Sequence, residues 1–112
     1  MPRDDAVYLQ HILDAIARIE TYLHDVDEDR FNATPLLQDG VIRQIEIIGE
    51  ATKRLSAVLI NKHSRVSWSD LARMRDKLIH QYFGVDIATV WLTATEDLPT
   101  LKENVERIIK TL

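Results

Sequence analysis

Apolar residues at Leu9, Ile12, Ile16, Ile19, Leu23 and Val26 recur at spacings of 3, 4, 3, 4 and 3. That is the period of one helical face, so a first helix is expected from about Asp5 to the mid-twenties. Asp25, Asp27, Glu28 and Asp29 would oppose the negative end of its dipole, so the last turn is expected to fray into a loop. The loop ends at Thr34-Pro35, an N-cap residue followed by the helical position that tolerates proline well. A long second helix continues through Val41, Ile45, Ile48, Thr52, Leu55 and Leu59 to Asn61.

Ile42 and Ile47 fall off this main stripe. A helix apolar on more than one side packs in its own bundle and meets another chain, which predicts a homodimer. Gly49, in mid-helix, costs about 1 kcal/mol relative to Ala, a cost that a close helix–helix approach would offset. The third helix starts at Ser67, with Asp70 three residues on and Val66 with Leu71 as a hydrophobic staple. Leu71, Met74 and Leu78 form its core side, and Gly84 is its left-handed stop. Asp86 opens the last stretch, with Val85 and Val90 as a second staple and Pro99 as a bend or break before the C-terminus. Ile87, Val90, Trp91, Leu98, Leu101, Val105, Ile108 and Ile109 are its inward residues. No strand-like alternation occurs. The expected fold is all-α: four to five antiparallel helices, up-and-down, in one domain spanning residues 1–112.

Composition narrows the chemistry. The chain has no cysteine, which excludes disulfides, thiol nucleophiles and cysteine-ligated metal sites and agrees with a cytoplasmic protein. Its longest run without Asp, Glu, Lys or Arg is nine residues, Ile87 to Thr95, too short for a membrane span. The start, MPRDDAVY, has no apolar h-region, so no signal peptide is expected. Charge is uneven. Residues 53–80 hold seven cations and two acids, whereas the remainder holds seven cations and sixteen acids. One basic segment in an acidic body suits guiding phosphates to one place rather than wrapping a duplex; a solvated helical surface is the plainer explanation.

Several sites are excluded by spacing. Asp25, Asp27 and Asp29 resemble the start of a calcium loop, but Arg30 and Leu36 stand where that loop needs Gly and Glu. Gly40, Gly49 and Gly84 cannot form a phosphate-cradling loop, and His11, His24 and His63, with no partner at i+4, could ligate a metal only by long-range convergence. The segment Arg73-Met-Arg-Asp-Lys-Leu-Ile-His-Gln-Tyr-Phe-Gly84 differs, because chemically able side chains crowd one helix end. Asp76 and His80 are neighbours at i and i+4, and Arg75 shares a face with Tyr82. Arg75 and His80 are about 140° apart on an ideal helix. Joint action therefore needs local distortion, long side chains or a partner chain. The plainer alternative is a helix end where His80 caps carbonyls and Arg75 pairs with Asp76 or another acid.

The pattern R-x-x-x-x-H-x-Y of Arg75, His80 and Tyr82 resembles the signature of HEPN-domain proteins, specifically HepT-like toxins that pair with the minimal nucleotidyltransferase MntA. Flanking segments match in the same order: Ile47-Ile-Gly-Glu-Ala-Thr-Lys-Arg-Leu55, Trp68, Met74-Arg-Asp-Lys-Leu-Ile-His80, Val85-Asp86, Val90-Trp91 and Asp97-Leu-Pro-Thr-Leu101. The resemblance spans about residues 5 to 110. It implies a homodimeric HEPN bundle acting as a ribonuclease toxin that needs no metal or other cofactor. Arg75 and His80 would be catalytic, Arg73 and Lys77 would bind RNA, and the antitoxin nucleotidyltransferase would modify Tyr82 with AMP.

His80 suits proton transfer because its ordinary pKa lies near neutrality, and Arg75 suits charge stabilisation because it is permanently cationic. Asp76 departs from the asparagine usual in that family. It would either orient and charge His80, as a supporting residue, or repel RNA and quench Arg75. Two other classes compete: a non-catalytic nucleotide-binding or partner-binding subunit of a nucleotidyltransferase, and a purely structural dimeric bundle.

Overall fold

A computed structural model describes residues 2–80 and 86–112, without the side chains of Pro2, Arg3, Lys77, Ile79 and His80. The described residues form four longer helices, three short ones and one π-helical turn, with no strand among them. The all-helical expectation holds. The Gly84 stop, the Val85 staple and the Tyr82 site lie outside the described residues.

Helix α1 (Pro2–Tyr22) begins earlier than expected and buries Leu9, Ile12, Ile16 and Ile19. It ends before the acidic run, at a turn where Asp25 adopts a left-handed conformation (φ 56°), which aspartate visits more readily than most residues other than glycine. The acids do more than disrupt this helix. Asp27 caps a short helix, α2 (Glu28–Asn32), by accepting from the Arg30 N–H at 2.8 Å. Glu28 and Asp29 then sit at a positive helix end, where their charge is favourable. Phe31 is fully buried and packs against Trp91 at 5.3 Å, so the expected loop is a helical plug in the core.

Helix α3 (Pro35–Lys53) starts with proline in its first turn and Thr34 at its N-cap position, but the Thr34 side chain makes no capping bond. The Thr34 hydroxyl instead donates to the Arg30 carbonyl at 2.6 Å, closing the end of α2. The expected continuation to Asn61 is also corrected: α3 stops at Lys53, and α4 (Ala57–Lys62) is a separate helix capped by Ser56. The break is stabilised from 51 residues away. Asp5, almost completely buried, accepts from the Ser56 N–H at 2.8 Å and from its hydroxyl at 2.6 Å. Leu55 and Leu59 stay buried on both sides of the break, which is why the apolar period concealed it.

Ile42 is buried within the chain and Ile47 is partly buried against the core. The second apolar side of α3 is thus largely used internally and does not by itself call for another chain. Helix α5 (Trp68–His80) follows Ser67, whose carbonyl accepts from Leu71 N–H. Trp68 is buried with its indole N–H donating to the His63 carbonyl at 3.0 Å. Leu78 is buried, and Leu71 and Met74 pack partly buried against the core.

Helix α6 (Ile87–Leu92) is capped by Asp86, which accepts from the Ala88 N–H and the Thr89 hydroxyl, both at 3.0 Å. The π turn at Thr93–Asp97 then leads into α7 (Leu98–Lys110), which carries Pro99 in its first turn. The wide turn is the form that the expected break takes. Leu98 N–H reaches back to the Thr93 carbonyl, and the additional residue keeps Ala94, Leu98, Leu101, Val105 and Ile108 facing inward. Helix α3 packs against both α1 and α5, and α1 also meets α7. No described helix is long and apolar enough to cross a membrane.

The Asp5–Ser56 tie generates a stability prediction. Asp5→Ala removes a charged acceptor from two hydrogen bonds, so urea unfolding is expected to show a loss of about 2 to 3 kcal/mol. A loss under about 0.5 kcal/mol, within the range of ordinary surface substitutions, would remove the tie as a determinant of the α3–α4 break.

Candidate active site

The site is organised where α3 crosses α5. A Cβ added to Gly49 would collide with the Cβ of Arg75 and come within 3.0 Å of the Leu71 carbonyl oxygen. The absence of a side chain at Gly49 therefore sets how closely α5 lies on α3. It also brings Arg75 over the α3 turn that carries Glu50 and Lys53.

These residues form a chain of alternating charge. Arg75 Nη2 forms an ion pair with Glu50 Oε2 at 3.1 Å, and its Nη1 donates to Asp76 Oδ1 at 3.2 Å. Lys53 Nζ lies 2.5 Å from the same Asp76 oxygen, and Arg54 Nε lies 3.2 Å from Glu50 Oε1. Three cations thus share two carboxylates, leaving one formal positive charge. The Arg75 side chain keeps 26% of its exposure, enough for an incoming anion to touch it. Ion pairs this open to water are weak and screened, so a phosphate can exchange with either carboxylate.

The charges move the ionisation equilibria in consistent directions. Lys53, by its hydrogen bond, lowers the Asp76 carboxyl below the usual carboxylate range; desolvation opposes this and Arg75 adds to it. Glu50, followed by the Tyr8 hydroxyl, raises the Arg54 guanidinium above its ordinary value. Asp76 pairs with Arg75, whereas its relation to the His80 side chain lies outside the described residues.

The expected site residues are not all gathered. Arg75 and Asp76 are together. Arg73 is directed elsewhere, exposed and paired with Asp70 at 2.7 Å. His80 ends α5 in sequence and backbone, five residues beyond Arg75, while its side chain and that of Lys77 lie outside the described residues. Tyr82 lies outside them entirely. Glu50, Lys53 and Arg54 were not singled out from sequence as site residues. The i,i+4 pair Glu50–Arg54 was visible there, but nothing local tied it to Arg75.

A cleft of about 400 Å³ opens beside this network, with Arg75, Glu50 and Arg54 on one part of its wall and Tyr8, His11 and Arg43 on another. A separate hollow of about 370 Å³, bounded by Ser67, Met74 and Asn104, does not include Arg75. Among the described residues, no group of three or more histidines and carboxylates could hold a metal ion.

An arginine fixed at a tight helix crossing and partly exposed gives the helical bundle a cation that an anionic group can reach. The family model described as "Ribonuclease HepT-like" matches residues 12–108. The chain is 42% identical over 110 residues to a probable ribonuclease HepT of Thermococcus cleftensis, covering 98% of this chain and all of that relative. It is 46% identical over all 112 residues to a Methanocaldococcus jannaschii protein whose name joins a gamma-glutamylcyclotransferase to a provisional RNase, and it spans half that protein's length. A provisional RNase of Caldanaerobacter subterraneus is 39% identical over 103 residues, 92% of either chain. No solved structure matches the chain at a significant level. The chain belongs to the HepT-like ribonuclease family.

Two predictions test the crossing and its charges. Gly49→Ala gains about 1 kcal/mol of helix propensity, but the added methyl meets Arg75 Cβ and backbone, so overpacking by about 1 to 3 kcal/mol outweighs it. Net destabilisation in urea, together with loss of RNA cleavage, is the expected result; a stabilised variant would refute the tight crossing. Asp76 has a lowered folded pKa, so its contribution is complete above the unfolded carboxylate value near pH 4 and is lost as pH falls through the folded value. The stability gap between the protein and Asp76→Asn should therefore shrink on acidification below about pH 4. A gap that widens in unfolding curves would reverse the assigned sign.

Proposed function

We propose that the protein is the toxin of a type VII toxin–antitoxin pair: a cytoplasmic, homodimeric, metal-independent RNA endonuclease. Its partner is an MntA-like nucleotidyltransferase that neutralises it by placing AMP on Tyr82. The observation that carries this reading is Arg75, held at the Gly49 crossing with its guanidinium partly exposed, in a chain of a ribonuclease family. RNA supplies its own nucleophile: the 2′-OH gives up its proton and attacks the adjacent phosphorus, the P–O5′ bond breaks, and a 2′,3′-cyclic phosphate and a protonated 5′-OH result. The enzyme then needs proton transfer and a cation for the developing phosphorane charge. Arg75 stabilises that charge after exchanging Glu50 or Asp76 for phosphate, and His80 moves the proton.

Five helical residues separate Arg75 and His80 by about 140° around α5, which favours two chains contributing to one cleft. AMP on Tyr82 would add bulk and negative charge two residues beyond His80, excluding RNA by occupancy and repulsion.

Cleavage should persist in excess EDTA and vanish when the 2′-OH is replaced by hydrogen. His80→Ala should lower the rate about 100- to 10,000-fold, and Arg75→Ala should lower it with the fold intact by circular dichroism. Light scattering should report a dimer. Incubation with the cognate nucleotidyltransferase and ATP should silence the protein but not Tyr82→Phe. Intact RNA beside normal partner binding would favour the non-catalytic subunit instead.

A further inference from the structure

The cleft beside Arg75 extends well past the charge network, onto a part of the surface that the cleavage chemistry does not use. There α1 contributes two rings, and α3 contributes a third arginine, Arg43. Tyr8 and His11 stand at 84° to one another with centroids 5.8 Å apart. Tyr8 is half-buried and holds its place in the core, whereas His11 is exposed at the cleft. Arg43 is also exposed, and it makes no ion pair among the described residues.

We infer that this wall is a nucleotide subsite, in which an unstacked base of single-stranded RNA lies on His11, braced by Tyr8, and its phosphate meets Arg43. The inference rests on the ribonuclease reading and specifies which part of the substrate the same cleft accepts: a nucleotide flanking the bond aligned at Arg75.

Three features of the cleft select this ligand. Its volume of about 400 Å³ falls in the range of small-molecule sites, large enough for a nucleotide-sized group but not for a duplex face. Rings accept a base only when that base has left its helical stack, which single strands and loops permit. Glu46 and Glu50 also line the cleft, so its surplus of positive charge is small and suits one or two phosphates rather than the dense charge of paired strands. Arg54 and Arg75 are already shared with Glu50, which leaves Arg43 to meet the flanking phosphate without first displacing a carboxylate in this network.

The test uses the full chain and a fluorescent ten-nucleotide 2′-O-methyl RNA, which cannot be cleaved, as a single strand and as its duplex, read by anisotropy. The single strand should bind more tightly than the duplex. His11→Ala should weaken single-strand binding at least about 5-fold, and His11→Phe, which keeps a stacking ring, should recover most of the loss. Arg43→Ala should flatten the slope of log affinity against log salt by about 0.7, the value for one phosphate contact on a single strand. With cleavable RNA, His11→Ala should raise KM more than it lowers kcat. Unchanged affinity and slope in both variants, with Arg75→Ala still abolishing cleavage, would remove the subsite and leave the ribonuclease reading standing. Failure of His11→Phe to restore binding, or equal affinity for the duplex, would also overturn it. A protein that neither binds nor cuts RNA would refute both readings.

Discussion

The missing side chain at Gly49 is the constraint on which the site depends. Helix α3 is the central element, packed on α1 along one side and α5 along another, and at Gly49 there is no room for even a methyl between it and Arg75. A glycine in mid-helix sacrifices propensity, and close packing is what offsets the loss. Here the contact is with Arg75, the arginine of the candidate site. Helix packing and the placement of Arg75 are consequently one problem with one solution.

That placement also explains why the arginine can be held and still be available. Glu50 and Asp76 keep the guanidinium oriented, while Lys53 and Arg54 draw charge from the same carboxylates. The group as a whole remains cationic and open to water, so its pairs are exchangeable. Asp76 fits this arrangement, because α3 brings Lys53 to meet it. A carboxylate that would quench Arg75 in isolation is balanced by a second cation from another helix.

Much of the architecture was legible along the chain. The apolar periods of α1 and α3, the Ser67 start of α5, the Asp86 cap and the disturbance around Pro99 all depend on residues within a turn or two of each other. Arg75 and His80 were also visible there as candidates, through a short pattern that resembles a family signature. The misreadings share a different cause. Thr34 bonded backwards to α2, Asp27 capped a helix where a loop was expected, and the 3-4 period ran across Ser56 as though no break existed.

The sequence by itself determined that the chain is helical, where its longer helices lie, which segment is basic, and which residues have the chemistry to handle phosphate. Those properties follow from side-chain spacing and intrinsic pKa, both carried by short stretches of chain. Only the tertiary structure decided that Asp5 ends α3 by bonding Ser56, that Ile42 is spent inside the chain, and that Glu50 and Lys53 face the Arg75–Asp76 pair. Each joins residues 23 or more positions apart or depends on which helix faces meet. Such contacts arise when apolar stripes from distant segments are buried together, and the polar residues beside those stripes acquire their partners only then.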